Sequence, residues 1–99
     1  MSDAQLVTLR CCARAIDTAV NLALENNRKG SDRALGQAEH CVKVLRSMLP
    51  PHARRRRLAE KALERGRVAV QSAFSGLGSV ELERRVSASE RASAAAMAP

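Results

Sequence analysis

From Leu6 the apolar residues recur as Leu6, Leu9, Ala13, Ile16, Val20 and Ala23, a three-four alternation held for about five helical turns. A strand would send these side chains to both faces of a sheet, whereas a helix gathers them into one stripe. A second stripe, Val7, Cys11, Ala15, Ala19 and Leu22, flanks the first. So wide an apolar face is covered on two sides, as in the middle helix of a bundle or an oligomer seam.

The rest of the chain repeats the helical pattern with clear breaks. Cations and Gly30 after Asn26 and Asn27 predict the end of the first helix, with Gly30 as its left-handed cap, and Ser31 or Asp32 opens the second. Its core line is Leu35, Ala38, Val42, Leu45 and Leu49. Pro50 and Pro51 stop it, because proline lacks an amide donor and displaces the preceding residue from helical geometry. A third helix carries Ala59, Leu63, Gly66, Val70 and Ala73, a line of small residues that lets a neighbour approach closely. After Gly76 and Gly78 a fourth segment starts well at Ser79, but its apolar line passes from Leu82 and Val86 into Ser89 and Ser93.

The expected fold is therefore all-α, an antiparallel three-helix bundle with a weak fourth C-terminal helix or a frayed tail. Residues 1–86 form a single helical domain with helices at about 3–28, 32–49, 52–75 and 79–88, and residues 87–99 an Ala/Ser-rich, disordered tail. Composition agrees: alanine, the commonest residue, occurs 18 times, and Phe74 is the one aromatic. A β-sandwich or barrel needs aromatic and β-branched strands, and a base-stacking RNA module needs exposed aromatic faces.

A net charge of +7 favours acidic partners, and ten of the 17 basic residues lie beyond residue 50. The sharpest feature is Arg54, Arg55, Arg56 and Arg57 at the start of the third helix, where the macrodipole already presents positive charge. A cluster that opposes its own helix is a candidate partner or anion site, and Lys61, Arg65 and Arg67 extend it. The bland alternative is a solvated charge run that keeps the bundle soluble. No helix-turn-helix, zinc knuckle, basic zipper or KH loop accompanies it, so any nucleic-acid contact is sequence-independent and salt-dependent.

No enzymatic constellation emerges. His40 and Cys41 are helix neighbours pointing about 100° apart, and Cys11, Cys12, His40 and Cys41 lack metal-site spacing, so neither metal nor cofactor is expected. The three cysteines are read as core packing and His40 as exposed. With no leading apolar run and no membrane-length segment, a reducing, cytoplasmic location without membrane contact is expected. The alanine-rich core is thin, and Leu6, Leu9, Ile16, Val20, Ala59, Gly66 and Ala73 offer a packing or oligomer face. The sequence thus points to a small non-enzymatic adaptor, regulator or chaperone-like protein. It would bind a protein partner through helix packing, self-association included, while its basic patch meets an acidic surface. The alternative is nucleic-acid binding through residues 54–67.

Overall fold

The computed structural model describes residues 2–98. Among them the chain forms four helices, α1 (Asp3–Leu24), α2 (Arg28–Met48), α3 (Arg54–Phe74) and α4 (Ser79–Met97), and no strand. The all-α expectation holds, but the architecture is a four-helix bundle and not three helices with a weak fourth. The part expected as a tail is helical to Met97, and Ser89, Ser93 and Ala96 are its buried positions. The fading apolar line misled because this helix packs with its smallest side chains, serine and alanine. Met1 and Pro99, the outermost residues of the two expected segments, lie outside the described residues.

The first connection also differs from the sequence reading. α1 ends at Leu24, and Asn26 takes the left-handed backbone (φ 61°) assigned above to Gly30. Asparagine tolerates that conformation better than most residues with a side chain. Asn27 then caps α2, its Oδ1 accepting from the Gly30 N–H at 2.9 Å. Ser31, expected as a cap, is buried within α2 and donates its hydroxyl to the Ala19 carbonyl at 2.8 Å, tying the first hairpin together.

Three apolar layers run through the up-down-up-down bundle. Leu9, Leu45, Ala59 and Ala96 close the proline end; Cys12, Ile16, Val42 and Leu63 fill the middle; Ala19, Val20, Ala34 and Val70 fill the far end. α1 and α3 touch each other and both remaining helices, while α2 and α4 share no contact among the described residues. The cross-section is therefore a flattened rhombus, with overall extents of 40 × 23 × 18 Å. Its short diagonal depends on Gly66, where an added Cβ would lie 2.6 Å from Ile16 Cγ2.

Candidate functional site

Two of the four consecutive arginines are directed at neighbouring helix ends. At the proline end the α3 N-terminus lies between the C-termini of α2 and α4, whose unpaired carbonyls carry partial negative charge. Arg55 Nη1 donates to the Ala96 carbonyl at 2.8 Å. Arg56 Nη1 donates to the Leu49 carbonyl at 3.0 Å, and its Nε donates to Glu60 at 3.0 Å. Arg46 reaches the same Glu60 oxygen at 3.1 Å, and these two guanidinium groups hold the Glu60 carboxyl below its ordinary range. The cluster that disfavours its own helix thus stabilises two others.

The remaining basic residues of the patch divide by helical position. Arg67 pairs with Glu39 of α2 at 3.0 Å. Arg54, Arg57, Lys61 and Arg65 are exposed and make no ion pair among the described residues. Their spacing puts them on one face of α3, spanning about 16 Å at 1.5 Å per residue. The adjoining wall comes from α4, where Ala88, Ala92 and Ala95 are too short to cover the row and Arg91 projects beside it. The result is a groove of about 300 Å³ lined by Lys61, Arg65, Arg91, Leu58 and those alanines. Arg91 escaped the sequence reading because it is 24 residues beyond Arg67, in a segment expected to be frayed.

A larger groove, about 680 Å³, runs between α1 and α2. Cys11, Ala15, Thr18, Gly36 and Cys41 line it, with Arg14, Arg33 and His40 also contributing. The second stripe of α1 is only partly covered: Ala19 is fully buried, Ala15 half-buried, Cys11 exposed and Val7 57% exposed. Met48 is also partly exposed, and by helical spacing Val7 and Met48 continue this surface toward the proline end. Gly36 occupies a helix interior, yet a Cβ there would meet nothing within 4 Å. Packing within the chain does not require glycine at that position.

The thiols are distributed differently from their expected common role in the core. Cys12 is buried, Cys41 is half-buried and Cys11 faces solvent. Burial, reinforced by the neighbouring Cys41, pushes the Cys12 thiol up to about 12, and burial also raises Cys41. Neither is activated as a thiolate nucleophile at neutral pH. No group of three or more His, Cys, Asp or Glu positioned for a metal ion occurs among the described residues. No described helix is long and apolar enough to cross a membrane.

The residues expected as a packing or oligomer face are covered by the chain's own helices. Leu9, Ile16, Val20, Ala59 and Gly66 are buried, and Leu6 and Ala73 are half-buried. The two grooves share no lining residue and open on opposite sides of the α1–α3 diagonal, one beside α2 and the other beside α4. No protein-family model, curated protein or solved structure matches this chain.

Proposed function

We propose that this chain is a small non-enzymatic adaptor that binds an acidic, amphipathic helix of another protein along the α1/α2 groove. The observation that carries the reading is the incompletely covered second stripe of α1 facing Gly36 of α2. A helix-interior glycine costs about 1 kcal/mol relative to alanine, and here the cost secures no internal packing. It keeps the groove wide enough for a helix backbone to settle against Cys11 and Ala15. Arg14 and Arg33, which have no ion-pair partner among the described residues, supply the complement to acidic side chains.

A foreign helix suits the groove better than a second copy, because a chain of net charge +7 would bring like charge to a basic rim. The charge accompanying this contact is that of Arg14 and Arg33; residues 54–67 serve another side of the molecule. In the reducing, cytoplasmic setting read from the sequence, Cys11 and Cys41 remain thiols and add soft apolar surface.

The test uses a labelled synthetic helix with leucine on one face and glutamate on the other. It should bind the native chain and lose at least tenfold in affinity on Gly36→Leu, a side chain whose Cβ meets nothing within 4 Å and which projects into the groove. Unchanged binding to that variant would remove the groove from the reading. Light scattering over a concentration series should return the monomer mass, and a dimer lost on Gly36→Leu would make the occupant a second copy.

A further inference from the structure

We infer that the α3/α4 groove is a phosphodiester-binding site through which the protein holds nucleic acid without reading its sequence, independently of the α1/α2 groove. The first argument is what remains once internal partners are assigned. Arg55 and Arg56 are committed to helix ends and Arg67 to Glu39, whereas Lys61, Arg65 and Arg91 converge on one concavity. No carboxylate lines that concavity among the described residues. Three cations so placed repel one another, and that repulsion is relieved when an anion lies between them. Arg54 and Arg57 continue the row along α3 toward the proline end, giving a line of charge suited to a linear polyanion.

The second argument is the chemistry the groove lacks. Protein interfaces place apolar and aromatic anchors at the centre and charges at the rim. Here the polar lining is three exposed cations, the floor is alanine, and the one larger apolar side chain, Leu58, is half-buried. An acidic protein would find little to desolvate, while a phosphodiester backbone needs only cations and space. Phe74, the sole aromatic, is half-buried with the Arg28 guanidinium 4.3 Å from its ring centre, so it offers no face to a base. Contact is then confined to phosphates, and affinity is governed by counterion release.

The experiment measures binding of a random-sequence duplex and a single strand across a salt series. With five phosphate contacts the duplex slope of log K against log salt should be about −4.5, and the single-strand slope shallower, about −3.5. Arg65→Ala with Arg91→Ala should weaken binding at least tenfold near physiological salt and make the slope shallower by about two. The charge-matched control, Arg10→Ala with Lys43→Ala on exposed positions of α1 and α2, should lose much less. Thermal melts of both pairs separate lost contact from lost fold, and Lys61→Gln repeats the test at a single exposed side chain. Equal losses for the two double variants would reduce the effect to net charge and overturn the site. Absence of binding, or competition by polyglutamate as effective as that by nucleic acid, would also overturn it.

Discussion

α1 and α2 each start with a side-chain cap from their own sequence, whereas α3 and α4 start without one and the first turn of α3 instead reaches the C-terminal ends of two other helices. Ser2 and Gln5 form a reciprocal cap on α1, and Asn27 caps α2 three residues downstream. α3 and α4 begin at Ala53 and Gly78 with no side-chain cap. The first turn of α3 donates outward, Arg55 to the carbonyl of Ala96 in α4, 41 residues away, and Arg56 to that of Leu49 at the end of α2, seven residues away. Arg85 adds a bond from α4 to Ser72 Oγ of α3 at 2.9 Å while pairing with Glu81 of its own helix.

The grooves follow the same division. The hairpin whose helices start with their own side-chain caps leaves an apolar face incompletely covered, and the hairpin whose helices start without them leaves surplus charge. A charged residue released from local duty by a tertiary contact is still charged toward solvent.

The largest effect expected is on the first hairpin. An unfolded Cys12 thiol ionises near its ordinary 9.0, and the folded one is pushed up to about 12. Between those values the unfolded chain holds fewer protons, so stability falls as pH rises, by up to about 1.4 kcal/mol per pH unit. Denaturant melts at successive pH values should show full stability below pH 9 and a decline above it, flattened in Cys12→Ala except for the smaller contribution of Cys41 in the same direction. A flat native profile would mean that Cys12 is not shielded.

Next is the capping of one helix end by another helix. Arg56→Ala leaves the Leu49 carbonyl without its charged donor and Glu60 with Arg46 alone, and should cost about 2 kcal/mol, whereas Arg57→Ala should stay within about 0.5 kcal/mol. Equal losses by chemical denaturation would erase the contrast between the hairpins. A smaller effect of opposite sign is expected in α4, where the Ser89 hydroxyl is buried without a hydrogen-bond partner among the described residues. Ser89→Ala should raise stability by about 1 kcal/mol. An unchanged melting temperature would show that its hydroxyl is satisfied.

The smallest effect concerns Gly36. Gly36→Ala should stabilise by about 0.5–1 kcal/mol, because helix propensity improves and the new methyl meets open space. Gly66→Ala gains the same propensity but meets Ile16, so its thermal melt should move the other way. A loss at Gly36 comparable to that at Gly66 would mean that the first groove is closed in solution.

Much of the helix pattern was legible because it is periodic. The buried line Leu9, Ala13, Ile16, Val20 and Ala23 follows the expected spacing, and the close approach at Gly66 follows from the small residues around it. α4 was less legible, since Ser89, Ser93 and Ala96 carry no apolar signal strong enough to mark a buried face. The candidate patch was visible as a charge run but not in its division. Arg54 and Arg55 are adjacent members of one arginine run and differ in what faces them across the bundle.

The sequence by itself determined that this chain is helical, basic and almost without aromatics, because residue spacing, charge and composition are local properties. It also determined the three breaks, through proline, glycine and asparagine. Tertiary structure alone decided which arginines are spent on helix ends, that Arg91 joins Lys61 and Arg65, and that the two grooves face opposite ways. The physical reason is that helix dipoles and unpaired carbonyls act on whatever lies within a few ångströms, and only the folded bundle brings residues 41 positions apart to that distance.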